Sequence, residues 1–216
     1  VEGAVSYVKL IDGKFNLTVI GGGAPKGLCG SGIVDLIAQL FLNGKLDFMG
    51  RFVPESGGLV RENGQWGVEY APGLTFWQSD VDAFLRTKAA ANTMVEYMLE
   101  SVGLPLSEVE RFYVAGAFGT YLDKESAVTI GLYPDLPREK IVSAGNSSLD
   151  GAQALLLDQG LLDKLPGILG KMDYVQFGEV ATFVDRMRAA MAIPHTDLDR
   201  YPTVRAELLR RGLLRG

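Results

Sequence analysis

The sequence predicts an α/β fold, and three patterns support that class. Apolar residues run into glycine twice, in Arg111–Tyr121 and in Lys140–Gly145, and a helical pattern follows each time. Alternation typical of strands near the N-terminus and helical spacing further along complete the pattern. Glycine at a strand end lets the backbone adopt a positive φ and lie against a ring or a phosphate. Two such turns in series predict one nucleotide-sized site.

The N-terminal part of the chain predicts a hairpin followed by a helix. Ala4–Leu10 and Lys14–Ile20 alternate apolar and polar residues around Asp12-Gly13, a dipeptide that favours a tight hairpin turn. Apolar residues then repeat at helical spacing from Ile33 to Phe41. We expect Ser31 to cap that helix near its start.

The middle of the chain predicts a surface excursion and a long helix. Residues 52–78 are rich in Gly and Pro with short β-like pieces, which indicates a hairpin inserted on the surface. Ser79 or Asp80 is the expected cap of a helix that runs to about Val102, where Gly103 follows.

The C-terminal third predicts mainly helices. Asn146 is the expected cap of a helix that follows the second glycine turn. The remaining elements that we expect are that helix to Leu157, a short helix 161–169 broken at Pro166, a short strand around Val175, and helices at 181–191 and 199–211.

Composition limits the classes of function. The 216 residues are 47% hydrophobic and 22% charged, which fits one globular domain. A formal charge of −5 argues against sequence-independent binding of nucleic acid, which requires a basic surface. Apolar runs are much shorter than the roughly 20 residues of a membrane span, and no signal peptide is recognisable. We therefore expect a cytoplasmic protein that binds neither nucleic acid nor membrane.

Cysteine and histidine offer little chemistry. Cys29 is the single cysteine and His195 the single histidine, so we predict no intrachain disulfide and no metal site. Cys29 is expected to be a small buried residue, and His195 a structural hydrogen-bonding residue. Val1-Glu-Gly-Ala4 carries no start signal, and we expect the chain to be part of a larger protein.

The glycines of Val114–Gly119 do not match the GxGxxG pattern of dinucleotide-binding dehydrogenases. Two interpretations of them remain open. They either permit only tight connections between strand and helix, or they let a ligand approach the backbone. The second glycine turn, which ends at Gly145, favours the ligand.

Five blocks occur in one order and together resemble a known family. The chain is similar to the C-terminal ATPase domain of the reductive activators of corrinoid enzymes, and the resemblance covers nearly its whole length. The blocks are Lys26–Asp35, Gln78–Val81 with Thr87–Ala90, Val114–Gly119, Ile130–Pro134 and Gly145–Ala152, followed by Pro194-His195.

The resemblance implies an actin-like ATPase lobe with a ribonuclease H-like fold. Members of that family join an N-terminal [2Fe–2S] ferredoxin-like domain to this ATPase and use ATP to return Co(II) corrinoid to Co(I). The implied ligands are ATP or ADP with Mg²⁺, and the [2Fe–2S] cluster is expected only in a separate N-terminal domain. The implied partner is a corrinoid protein or a corrinoid methyltransferase, and a homodimer is left open.

The resemblance also implies site residues. Gly116, Ala117, Phe118 and Gly119 match the adenosine motif, where the backbone contacts the base and the ribose. Gly145 and Asn146 begin a block similar to the second connecting motif, in which small residues let two helices cross between lobes.

The long helix supplies two further positions. Lys88 and Thr87 match positions that face the ribose or the phosphates. The alternative for Lys88 is a solvated lysine on the surface of its helix.

The start of the first helix is another candidate. Gly30 and Ser31 could present free backbone N–H groups to an anion at a helix N-terminus. The alternative is only a tight connection from strand to helix.

The phosphate loops of the superfamily are not recognisable, since Leu10–Lys14 has an Asp-Gly without the expected residues after it. Catalytic residues therefore stay unknown, and we expect them in a missing N-terminal part. The chain alone is expected to be inactive. Two other functions remain open: a docking module of the same fold without catalysis, and a lobe of a sugar or small-acid kinase.

Overall fold

The computed structural model describes residues 1–214, apart from the side chains of residues 117 and 118. Within that range the fold is mixed α/β, as predicted. Its strands are β1 (Ala4–Ile11), β2 (Lys14–Val19), β3 (Gly27–Leu28), β4 (Val60–Glu62), β5 (Gln65–Ala71), β6 (Leu74–Trp77), β7 (Phe112–Val114) and β8 (Ile141–Ser143). Its α-helices are α1 (Gly30–Leu42), α2 (Gln78–Ser101), α3 (Gly116–Tyr121), α4 (Lys124–Thr129), α5 (Ser147–Leu157), α6 (Leu165–Leu169), α7 (Phe183–Ala190) and α8 (Pro202–Arg210).

The N-terminal sheet has the order β2-β1-β3. β1 and β2 pair antiparallel, and β3 pairs parallel to β1. Asp12 and Gly13 both have positive φ, 49° and 75°, which is the geometry of the tight turn that the sequence predicts. α1 packs on β1 and on α4, so its apolar face forms part of the main core.

The predicted surface excursion contains a three-stranded antiparallel sheet in the order β4-β5-β6. Its role as an insertion within the family stays a prediction. α2 follows β6 directly and begins at Gln78, earlier than expected. Asp80 lies inside the first turn, where its carboxylate accepts the backbone N–H of Trp77 at 2.8 Å. Asp80 therefore stabilises the helix start from within, as in a capping box, and is not the N-cap residue.

The two predicted strand–glycine–helix units are present and adjacent. β7 and β8 form a parallel pair, and each strand ends in a glycine turn that leads into a helix. α5 begins after Asn146, whose side chain accepts the backbone N–H of Leu149 at 3.2 Å. The predicted cap of α5 is confirmed.

The C-terminal third differs from the predictions in detail. Residues around Val175 form no strand, and α6 begins with Pro166 in its first turn, where proline has no hydrogen bond to lose. The predicted helices at 181–191 and 199–211 correspond to the shorter α7 and α8. Among the described helices, none is long and apolar enough to cross a membrane.

Candidate functional site

Gly116 and Gly145 lie side by side where β7 and β8 end. The backbone N–H of Gly116 donates to the carbonyl oxygen of Gly145 at 2.6 Å. One residue earlier, the N–H of Ala144 donates to the carbonyl of Val114 at 2.8 Å. The carboxyl ends of both strands therefore stop at the same edge, which is the usual ligand position in an open parallel α/β sheet.

Both glycines have a left-handed backbone and open space above it. Their φ angles are +83° at Gly116 and +63° at Gly145. A Cβ added at Gly116 would meet no atom within 4 Å, and one at Gly145 would meet only Asp150 Oδ2, at 3.9 Å. Nothing in the fold requires a small residue at these two positions for packing. Bare backbone next to open space is suited to a flat ring or a ribose.

Gly119 has a different reason to be glycine. A Cβ there would lie 2.6 Å from Val114 Cγ1 and 2.8 Å from the Val114 carbonyl carbon. Gly119 thus lets α3 pack closely on β7. The predicted side-chain environment of Ala117 and Phe118 lies outside the described residues, so their part in the adenosine motif stays a prediction.

α5 lies in solvent for almost its whole length. Leu155 is half-buried, whereas Leu156 and Leu157 are 83% and 81% exposed. Its first turn carries Ser147, Ser148 and Asp150 together with Leu149, which is exposed. α5 therefore starts at the glycine pair and presents an uncovered surface.

Lys88 does not have the position that the sequence predicted. Its side chain is fully buried, and its Nζ donates to the carbonyl oxygens of Ala190 and Ala192, both at 2.6 Å, and of Pro194. Three acceptors use all three N–H groups of the ammonium, so no donor is left for a nucleotide. The prediction that Lys88 contacts the ribose or the phosphates is therefore wrong. The alternative, a solvated lysine on the surface of its helix, is wrong as well. Thr87 is exposed and bonds within its own helix, and its ligand contact stays a prediction.

Lys88 belongs to a buried cluster that we call the Lys88 cluster: Lys88, Asn92, Gly131, Pro194 and Tyr201. The Asn92 Nδ2 donates to the Gly131 carbonyl at 2.9 Å and contacts the Tyr201 hydroxyl at 2.7 Å. A Cβ at Gly131 would lie 2.1 Å from the Pro194 carbonyl oxygen and 3.0 Å from Lys88 Cε. The sequence segments that contain Lys88, Gly131 and Pro194 thus pack against one another and do not surround a ligand.

Burial shifts the pKa values of Lys88 and of His195 beside the Lys88 cluster. Burial lowers the pKa of Lys88 to about 7, and the Glu96 carboxylate acts in the opposite direction. Burial also lowers the pKa of His195 below its usual value, against the raising effect of Glu96. His195 Nδ1 accepts the backbone N–H of Asp197 at 2.9 Å, so the histidine has the structural hydrogen-bonding role that was predicted.

The start of α1 differs from expectation. Ser31 Oγ donates to the Ser6 carbonyl at 2.8 Å and thus ties α1 to β1, so Ser31 is not the helix cap. Cys29 is the N-cap residue and is partly exposed. Burial raises the pKa of its thiol, but hydrogen bonds from Ser31 and the first amides of the helix outweigh it and lower the pKa. Anion binding at Gly30 and Ser31 stays a prediction.

A charged cavity was missed by the sequence reasoning. It has a volume of about 450 Å³ and lies between the second half of α2 and the segment from Leu132 to Asp135. Arg200 pairs with Glu96 at 2.6 Å, and Arg186 pairs with Glu100 at 2.5 Å, along its wall. The only signal in the sequence was the spacing of two acidic residues four apart on one helix face. Leu106, which precedes β7, also lines the cavity, and the residues that line it include neither Gly116 nor Gly145.

No group of three or more His, Cys, Asp or Glu side chains within the described part of the chain is arranged to hold a metal ion. The candidate site that remains to be tested is the glycine pair, Gly116 and Gly145, with the start of α5.

Comparison with known proteins agrees with this fold. The family model described as the C-terminal domain of RACo, the ASKHA domain, matches residues 1–205. A solved "Reductive activator for corrinoid,iron-sulfur protein" is 33% identical with a TM-score of 0.86, over 94% of this chain and 34% of that one. The "Corrinoid activation enzyme RamQ" of Eubacterium limosum is 34% identical over 77% of this chain and 31% of the relative. A "[Co(II) methylated amine-specific corrinoid protein] reductase" of Methanosarcina barkeri is 26% identical over 73% of this chain and 27% of the relative.

Proposed function

Because the chain belongs to the family of the C-terminal ASKHA domain of RACo, we propose that it is the ATP-binding lobe of a reductive activator. That activator would return Co(II) corrinoid to Co(I) by delivering one electron. The chain spans about a third of the length of the relatives that it matches, so the activity, substrate and partners of the whole protein all belong to the proposal.

The observation that carries the proposal is the pair of open, positive-φ glycines at the ends of β7 and β8. The base and ribose of ATP or ADP would lie on the backbone of Gly116 and Gly145, and Asn146 would hold the start of α5 beside them. A side chain at Gly116 would occupy the space of the ligand without touching any protein atom.

The residues present fit the nucleoside better than the other expected groups. Mg²⁺ in ATP sites is held mainly by the phosphates, water and one or two carboxylates, so it would lie with the phosphates, whose loops are not recognisable in this sequence. A [2Fe–2S] cluster held by four thiolates cannot form on a chain with the single cysteine Cys29. We therefore assign to this chain the adenosine half of the ATP site, and expect phosphate, Mg²⁺ and iron–sulfur chemistry elsewhere in the activator.

α5 would couple nucleotide binding to lobe movement. Gly151 and Ala152 make part of its surface small, which permits close approach of a second helix, and Leu149, Leu156 and Leu157 are exposed. Nucleotide binding across two lobes would favour the closed arrangement, since a ligand shifts a conformational equilibrium by its difference in affinity for the two states. Closure would hold the partner where Co(II) accepts the electron.

The partner in this proposal is a corrinoid protein or a corrinoid methyltransferase in the cytoplasm. The activator that binds it would be a monomer or a homodimer. The printed names of the relatives support corrinoid proteins as the partner class. The finer choice between a corrinoid protein and a methyltransferase, and the dimer, rest on family resemblance.

Calorimetric titration of the 216-residue chain with ADP tests the proposal. Gly116→Val is compared with Gly64→Val, because Gly64 also has a positive φ, +80°, and open space, but lies in the turn between β4 and β5. We expect measurable ADP binding by the wild type and by Gly64→Val, and at least a tenfold loss in Gly116→Val. No steady-state ATP hydrolysis is expected from any of the three.

Three results would contradict the proposal. Unchanged ADP affinity in folded Gly116→Val protein would remove the glycine pair from the site. Absence of any ADP binding by the wild type would favour a docking module without nucleotide chemistry. Steady-state ATP turnover that Gly116→Val abolishes would mean that the chain holds a complete ATPase site and not half of one.

A further inference from the structure

Residues 190–201 run from the last residue of α7 to the start of α8, lie against α2 and are held by hydrogen bonds from several sides. Lys88 holds three of their carbonyl oxygens. The Ile193 N–H donates to the Phe48 carbonyl at 2.8 Å, and the Thr196 N–H donates to the Ala189 carbonyl at 3.1 Å. We call this segment the latch. Its carbonyl at Pro194 covers Gly131, so the latch also fixes the turn that follows α4.

His195 is the residue of the latch whose hydrogen bonding depends on protonation. Its Nδ1 accepts the Asp197 N–H and therefore carries no proton. In the neutral ring the proton is then on Nε2, which is buried without a hydrogen-bond partner. The nearest carboxylate oxygen, Glu96 Oε1, is 3.7 Å away and already pairs with Arg200.

A second proton on the His195 ring is incompatible with the hydrogen bonds of the closed latch. Both ring nitrogens of a protonated histidine are donors, so Nδ1–H would point at the Asp197 N–H, and two donors would face each other. That hydrogen bond would be lost, and with it the fixed turn from His195 to Asp197. Asp197 in turn accepts the N–H of Asp199 at 3.2 Å, so the change would extend towards Tyr201.

We propose that residues 190–201 form an acid-sensitive latch, in which protonation of His195 breaks its bond to the Asp197 amide and releases the segment from α2. The proposal does not depend on nucleotide binding. Its consequence is that acid exposes Lys88 and the Gly131 turn while the rest of the fold stays closed.

The groups around His195 act on its pKa in both directions, and burial has the largest effect. Burial lowers its pKa first, Glu96 and Asp197 raise it, and Arg200 and Lys88 lower it, with a net lowering. The pKa in the closed latch is thus below the value of about 6.5 expected for a solvent-exposed histidine, so the open form binds the proton more strongly. Closure is favoured above about pH 6.5 and is progressively lost as the pH falls below it. Lys88, whose pKa is lowered to about 7 in the closed form, takes up its proton above that pH, so it adds little to the change below pH 6.5.

Amide hydrogen exchange measured by NMR on the full chain between pH 5 and pH 8 tests the latch. Rates are corrected for the intrinsic pH dependence of exchange. In the wild type, protection of the Asp197 and Thr196 amides is expected to fall by up to about tenfold for each pH unit below 6.5, which is the slope for uptake of one proton. Amides of β5 serve as the internal control and should keep their protection.

Two substitutions of His195 separate titration from packing. Asn carries an oxygen near the position of Nδ1 and does not titrate, so His195→Asn should keep Asp197 protected with a flat pH profile. Gln carries its polar group near Nε2 and cannot accept from the Asp197 amide, so His195→Gln should show weak protection already at pH 8.

Several outcomes would overturn the proposal. A wild-type profile as flat as that of His195→Asn would mean that His195 does not control the latch. A pH-dependent profile that His195→Asn retains would assign the acid response to another group. Loss of protection in β5 together with the latch would mean global acid unfolding and no separate latch.

Discussion

Two turns of this molecule have the same backbone conformation and opposite surroundings. Gly131 and Gly116 have φ angles of +76° and +83°. A Cβ at Gly131 would collide with the Pro194 carbonyl oxygen at 2.1 Å, whereas one at Gly116 would meet nothing within 4 Å. The first glycine is explained by packing inside the Lys88 cluster. The second is not required by packing; its positive φ alone favours glycine, and the space beside it is open. Open space separates it from a packing glycine, and its position beside Gly145 at the ends of two parallel strands is what points to a ligand.

The largest effect that we expect comes from removing the Lys88 ammonium. Lys88→Met would leave three buried carbonyl oxygens without donors and should lower the free energy of unfolding by about 3–5 kcal/mol. Urea denaturation measures it. Lys45→Met is the matched control, because Lys45 donates to a single carbonyl, that of Gly57, near the surface, and should cost less than about 1 kcal/mol. Equal losses of stability in the two variants would show that Lys88 stabilises the fold no more than a lysine near the surface does.

Asp35 provides a second test of how burial affects a charged group. Its carboxyl group is buried, and only one of its two oxygens accepts a hydrogen bond. Its Oδ2 accepts the Val8 N–H at 3.2 Å, and its Oδ1 has no partner. Burial, assisted by Asp123, raises its pKa to about 6, against the lowering effect of the Ser126 side chain and of the Val8 amide, whose bond to Oδ2 is the one that the geometry shows. Since the folded pKa exceeds the unfolded value, stability is greatest below about pH 4 for this group and is lost as the pH rises through 6.

Asp35→Asn keeps an acceptor for the Val8 amide and removes this titration. At pH 7 it should therefore be more stable than the wild type by at most about 3 kcal/mol, and near pH 4 the difference should vanish. Urea denaturation of both proteins across that range measures the difference. A constant difference at all pH values would show that Asp35 does not titrate abnormally.

Alanine at Gly116 and at Gly119 should affect different properties, ligand binding at the first and stability at the second. Gly119→Ala places a methyl group against Val114 and should destabilise the fold by about 1–3 kcal/mol. Gly116→Ala adds only the strain of a left-handed backbone, about 1 kcal/mol, but should weaken ADP binding more. Thermal unfolding and calorimetry measure the two effects. If Gly119→Ala were harmless to stability, the distinction between packing glycine and ligand glycine would be wrong.

Part of this molecule could be predicted from local sequence. The hairpin at Asp12-Gly13, the cap at Asn146 and the two glycine turns depend on residues next to one another, and all were correct. The role of Lys88 could not be predicted, because its three acceptors are backbone carbonyls 102 to 106 residues away. Every residue has such a carbonyl, so no pattern in the sequence identifies those that a lysine will meet. Ser31 was misassigned for a similar reason, since a carbonyl of the neighbouring strand captured its hydroxyl.

The smallest effect should come from the exposed face of α5. Leu156→Ser should change the free energy of unfolding of this chain by less than about 0.5 kcal/mol, because Leu156 is 83% exposed. Leu85→Ala, at a position 1% exposed in α2, should cost about 2–5 kcal/mol by comparison. A large loss in Leu156→Ser would mean that α5 packs on this chain after all, and would weaken the proposal that it meets another lobe.

The central claim is that the nucleotide contacts the open glycines and not the Lys88 cluster. Titration of the ¹⁵N-labelled chain with ADP, followed by NMR, tests it directly. We predict that the amide signals of Gly116, Gly145 and Asn146 shift progressively with ADP, while those of Asn92 and Ile193 stay unchanged. Shifts at Asn92 and Ile193 with Gly116 and Gly145 unmoved would contradict it, because the ligand would then lie at the buried cluster and the open glycines would have no function in binding.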